Sequence, residues 1–91
     1  AGGTAAIESV NEPRVMLAGE RLYLLLPEAW LAGGTPAEVE LYSAAGQRIL
    51  SLPLTSTHSS LSLADYALQS GVYIVHLTRS GERYSCKLIR P

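Results

Sequence analysis

The sequence predicts an all-β fold, an antiparallel β-sandwich, and three observations carry that prediction. Short runs of alternating apolar and polar residues recur at roughly eight- to twelve-residue spacing, as sandwich strands do. Gly, Pro and Ser clusters stand between the runs and supply turns. The last two runs, joined across Arg79-Ser80-Gly81-Glu82, pair in a register that separates an apolar face from a mixed one. No Cys…Trp…Cys framework is present, so an antibody-type domain is excluded, and immunoglobulin-like or fibronectin-like topology is expected.

Taken in order, Ala1-Gly2-Gly3-Thr4 is small and flexible and reads as the end of a linker. The same tetrapeptide returns as Ala32-Gly33-Gly34-Thr35 with nothing similar around it, so it reads as a second flexible connection rather than a repeat. Residues 1–6 are set as a linker from an upstream protein and 7–91 as the sandwich. Arg21 to Leu26 places Leu22, Leu24 and Leu26 on one face, and Pro27 closes it. In Glu38 to Tyr42, Val39 and Leu41 point inward and both glutamates outward. Pro36, Ala37 and Glu38 would suit a first helical turn, but the strict alternation favours a strand. The spacing predicts another strand over Gln47 to Leu52, stopped by Pro53, and a Ser/Thr-rich loop over Thr55 to Ser60. Leu61-Ser62-Leu63 reads as a brief strand, and Ala64 to Ser70 as a turn or 3₁₀ piece.

Two connections read as hairpins. Ser43-Ala44-Ala45-Gly46 fits a type I turn with Gly46 in the left-handed region. In the last hairpin, Arg79 opposite Glu82 sets Leu77 against Tyr84, Val75 against Cys86 and Tyr73 against Leu88 on one face. The other face pairs His76 with Ser85, Ile74 with Lys87 and Val72 with Ile89. A slip of one residue destroys that separation.

Composition narrows the function classes. Ninety-one residues suffice for one domain with a core. With 47% hydrophobic and 16% charged residues, disorder is not the reading. A net charge of −1 leaves no basic footprint for a nucleic acid. One Cys excludes an intrachain disulfide framework and a cysteine-built zinc site. The longest apolar stretch, Leu22 to Leu26, is far short of the roughly 20 residues of a membrane span. With no Met start and no leader of basic then apolar residues, a soluble domain cut from a longer protein is expected.

Enzymatic chemistry finds few groups here. The only histidines are His58 and His76, and the only aspartate is Asp65. A Ser-His-Asp set can be written, but no nucleophile-elbow motif accompanies it. His58 falls in the Ser/Thr-rich loop and His76 on the mixed face, so both read as solvated or rim residues. His76, Cys86 and Asp65 do not make a metal site, because the register turns Cys86 inward and His76 outward. Cys86 reads as a small buried hydrophobe with an unreactive thiol. Neither Ala-Gly-Gly-Thr segment matches a phosphate loop, and Glu38 and Glu40 read as a solvated face. Trp30 either grips a sugar ring or a partner, or lids one end of the core; a chain without Phe favours the lid. No catalytic, metal or cofactor-binding residue is assigned.

The second half carries a more specific pattern. Val39-Glu40-Leu41-Tyr42-Ser43-Ala44-Ala45-Gly46-Gln47-Arg48-Ile49 resembles the strand, Tyr, turn, Gly, Gln/Arg motif of the C-terminal sorting domains of the Type IX secretion system. Leu68-Gln69-Ser70-Gly71-Val72-Tyr73 looks like that family's Leu-x-x-Gly-x-Tyr strand, and Lys87-Leu88-Ile89 like its terminal Lys-plus-aliphatics motif. Their order and spacing agree over about Val39 to Ile89. Ser43-Ala44-Ala45 stands where family members often have Asp and Asn. Asn11-Glu12-Pro13 stands in place of a Pro-Asn-Pro element, and Arg90-Pro91 ends the chain where the family continues with basic or aliphatic residues.

The resemblance implies a seven-stranded immunoglobulin-like sandwich over residues 7–91, serving as the C-terminal sorting domain of an exported protein. It implies passage from the periplasm through the Type IX translocon to the outer membrane and surface of a Gram-negative bacterium. The implied partners are the translocon, an outer-membrane shuttle protein and a cell-surface sortase, with no nucleic acid and no cofactor. The sortase of such systems attaches cargo to anionic lipopolysaccharide. Gly71, Tyr73, Lys87, Leu88, Ile89 and Arg90 are the residues expected to carry recognition. The domain is either removed by the sortase or retained on a surface component of the apparatus, where Trp30 and Tyr23 would help form an interface. The alternative is a fibronectin-like spacer or carbohydrate-binding module of a surface protein.

Overall fold

Period-two alternation gives each strand one apolar side, and two such sheets bury those sides against each other. The computed structural model describes residues 12–66 and 68–91 and shows seven antiparallel strands in two sheets. They are β1 (Arg14–Ala18), β2 (Arg21–Leu25), β3 (Ala37–Ser43), β4 (Arg48–Leu54), β5 (His58–Ser62), β6 (Gly71–Arg79) and β7 (Glu82–Arg90). One sheet has the order β1-β2-β5, the other β4-β3-β6-β7. The chain crosses between sheets after β2, after β4 and after β5. The linker set at residues 1–6 lies outside the described residues.

The β3–β4 hairpin keeps β4 in the sheet of β3. Its turn follows the sequence expectation: Gly46 has φ +90°, and its N–H donates to the Ser43 carbonyl at 2.9 Å. The Ser43 hydroxyl accepts from the Gln47 N–H at 3.2 Å, a local bond that holds the turn.

The core lies between the sheets. Leu22 and Leu24 from β2, Val39 and Leu41 from β3, and Val75 and Leu77 from β6 are fully buried. Trp30, on a 3₁₀ turn at Glu28–Trp30, is buried with them, the lid expected from the sequence. The 3₁₀ piece expected between Ala64 and Ser70 forms at Leu63–Tyr66 and takes in Leu63, which was expected to end a strand. No buried polar or charged residue occurs among the described residues, so apolar contact holds the sheets together.

Four expectations need correction. β1 was not foreseen, because Val15-Met16-Leu17 is a continuous apolar triplet that hides the alternation, with Met16 facing outward at 57% exposure. His58 to Ser60 belong to a strand rather than a loop. Pairing with β2, extended by the Leu26 N–H to the Thr57 carbonyl at 2.9 Å, overrides the weak strand preference of serine. Pro53 lies inside β4 instead of stopping it. β4 ends its sheet, and an edge strand tolerates a residue without an N–H. Cys86 is half-buried rather than buried, since β7 is also an edge strand and covers its thiol from one side only.

Candidate recognition surface on the terminal hairpin

The final hairpin forms in the expected register, from Gly71 opposite Arg90 to Arg79 opposite Glu82. Ser80 and Gly81 both have positive φ, +28° and +87°, as a type I′ turn requires. Tyr73, Val75, Leu77 and Leu88 are buried on the inner face, and Tyr84 and Cys86 are half-buried.

The Leu-x-x-Gly-x-Tyr segment has a structural reason at each named position. Leu68 packs against the core. Gly71 has φ +147°, a conformation side-chain-bearing residues rarely adopt. Tyr73 sends its hydroxyl back to the Gln69 carbonyl at 2.6 Å. That is the tyrosine-corner arrangement of sandwich domains.

Two arginines fasten the ends of the hairpin. At the far end of β7, Arg90 donates from Nε to the Leu68 carbonyl at 3.0 Å. Its Nη2 reaches both carboxylate oxygens of Glu20, in the β1–β2 turn, at 2.7 and 2.8 Å. Near the tip, Arg79 donates from Nη1 to the Ala29 carbonyl at 2.6 Å and to Glu82 Oε1 at 3.2 Å. The hairpin is thereby tied to β1–β2 at one end and to the turn bearing Trp30 at the other.

Of the six residues expected to carry recognition, the structure places Tyr73 and Leu88 in the core. Gly71 shapes the backbone, and Arg90 is engaged internally. Lys87 and Ile89 face outward, Ile89 at 63% exposure beside Val72 at 39%. Arg83, on the same strand parity as Lys87, joins them; it was not among the expected residues, although counting in twos along the strand finds it. Glu20 and Arg79 were not foreseen, because each acts across a distance in sequence that periodicity does not report.

A polar ladder crosses the outer face of the four-stranded sheet. Arg48 of β4 lies 3.4 Å from Glu40 of β3, which accepts the Tyr42 hydroxyl at 3.2 Å. Tyr42 meets the ring of His76 edge-on with centroids 5.1 Å apart, and His76 Nδ1 lies 2.6 Å from the Ser85 hydroxyl. The Ser85–His76 pair sits on an open sheet face, and Glu40, the carboxylate of the ladder, is already engaged by Tyr42 and Arg48. Among the described residues, no three His, Cys, Asp or Glu side chains gather as a metal-binding group. Burial raises the Cys86 thiol above its ordinary pKa, which disfavours the reactive thiolate.

Two sheets packed over an apolar interior, with the unusual contacts concentrated on one hairpin, define a small β-sandwich module. The family of secretion system C-terminal sorting domains matches residues 26–90. The chain belongs to that family, and so carries a C-terminal sorting signal for type IX secretion. No curated protein matches the chain. The family match begins at Leu26 and spans β3 to β7, the second sheet entire.

Proposed function

We propose that this domain is a transient address, read as a folded object through its terminal hairpin and then removed from the exported protein. The observation that carries this reading is the fastening of the hairpin at both ends, which presents Lys87 and Ile89 in a fixed setting. In this reading the translocon and the outer-membrane shuttle protein contact Lys87 and Ile89. Gly71, Tyr73, Leu88 and Arg90 give the hairpin its shape. The cell-surface sortase acts on the linker at residues 1–6 and joins the cargo to anionic lipopolysaccharide.

Trp30 is 7% exposed and offers little to a standing interface or to a sugar ring, which supports removal over retention, although Tyr23, the other residue expected at such an interface, is 38% exposed. The burial of Trp30 also counts against a carbohydrate-binding module. The test is a fusion of residues 1–91 to a periplasmic reporter in a type IX-competent host. Surface delivery of the reporter is the expected result. A folded fusion left in the periplasm overturns the reading in favour of a spacer.

A further inference from the structure

Four strands end the two sheets, and their edges differ. β1 and β5 have five residues each, while β4 carries Pro53 and a register shift between its pairings with Leu41 and Tyr42. Short length, proline and bulges all blunt an edge. β7 has nine residues, no proline and an unbroken register.

Hairpin geometry identifies the open main-chain groups of β7. Across a two-residue type I′ turn the flanking pair, Arg79 and Glu82, exchanges both main-chain bonds, and such pairs then alternate. Glu82, Tyr84, Cys86, Leu88 and Arg90 therefore turn their N–H and C=O toward β6. Arg83, Ser85, Lys87 and Ile89 turn theirs away, and β7 has no neighbour on that side among the described residues. The side chains of these same four residues lie on the outer face. Arg83 and Lys87 are exposed and form no ion pair among the described residues, and Ile89 adds an apolar end.

We propose that β7 takes up an added strand from a partner protein whose alternate residues are aliphatic, acidic, polar and acidic, opposite Ile89, Lys87, Ser85 and Arg83. This rests on the hairpin being the recognised element. Main-chain bonds hold the added strand, and carboxylates opposite the two cations select it. A second copy of this chain is a poor occupant. The outward residues of β7 carry two cations and no carboxylate, so a second β7 strand sets no carboxylate opposite Arg83 or Lys87.

The test uses the full chain and two capped peptides, Ile-Thr-Glu-Thr-Ser-Thr-Glu and its counterpart with Lys in place of both Glu. The acidic peptide binds about tenfold more tightly, the scale two exposed ion pairs supply. It shifts the backbone amides of Arg83, Ser85, Lys87 and Ile89, and it slows labelling of the half-exposed Cys86. R83E/K87E inverts the preference. Ser85→Pro removes one outward N–H while sparing the β6 ladder, and it loses binding that Ser85→Ala keeps. If Ser85→Pro does not fold, the charge-reversed pair decides. Equal affinity for both peptides, no binding at β7, or full binding by folded Ser85→Pro overturns the proposal. In the reporter assay, normal export by a folded R83E/K87E chain overturns this proposal and the Lys87 contact, and leaves the sorting reading standing. Failure of the unaltered chain to export overturns the sorting reading and this proposal with it.

Discussion

At Gly71 the chain adopts φ +147° with open space where a Cβ would stand. A side chain there meets no neighbour, so the cost of adding one is backbone strain. Gly71→Ala is expected to lower stability by about 1–3 kcal/mol with the fold retained, measured by urea unfolding. An unchanged midpoint shows that the conformation is not required. Tyr73→Phe removes only the hydroxyl bonded to Gln69 and is expected to cost about 1 kcal/mol. Cys86 gives a pH-dependent test. Burial raises its folded-state pKa above the unfolded value of 9.0, so the stability from the neutral thiol is full below that pH and lost as pH rises through the folded value. At pH 8 a thiol reagent is expected to label Cys86 more slowly than a free small thiol and at the ordinary rate in urea. Labelling as fast as a free thiol under native conditions refutes the Val75–Cys86 register.

Among the elements, β6 and β7 were legible from the sequence because an inner face and a mixed face alternate over nine residues each, which leaves one register possible. The β3–β4 turn was legible through Gly46. β1 and the start of β5 were not: Met16 breaks the alternation, and Ser59 and Ser60 form a strand only because β2 lies beside them. The candidate surface was half legible. Residue types marked Lys87 and Ile89, but the inner-face positions of Tyr73 and Leu88 gave them their conspicuous character through packing. Arg90 looked like a free terminal cation because its partner Glu20 is distant in sequence. Its contacts lead to a graded prediction for unfolding in urea. Glu20→Ala removes one partly exposed ion pair and costs up to about 1 kcal/mol. Arg90→Ala also loses the Leu68 bond and costs about 1–2 kcal/mol. Arg90→Lys recovers only part, since one ammonium cannot replace both Nε and Nη2. If all three variants unfold like the unaltered chain, the fastening contributes nothing.

For the whole molecule, the proposed removal of the domain predicts a mass. The parent protein recovered from the cell surface is expected to lack approximately the 9.7 kDa of this chain, read by intact mass spectrometry. A surface form that keeps the full mass establishes retention. The core was readable as a whole, since leucines and valines at alternate positions had to face one another, but which loops the arginines reach was not, because that depends on how the two sheets stack.

The Arg90–Glu20 contact joins positions 70 residues apart. Because Arg90 lies on one sheet and Glu20 in the β1–β2 turn of the other, this contact closes only when the two sheets are docked. Carried into secretion, this makes the address conditional on completion. A half-folded copy leaves the end of β7 unfastened, so a receptor that selects the fastened edge inspects the finished state of the domain while reading its destination.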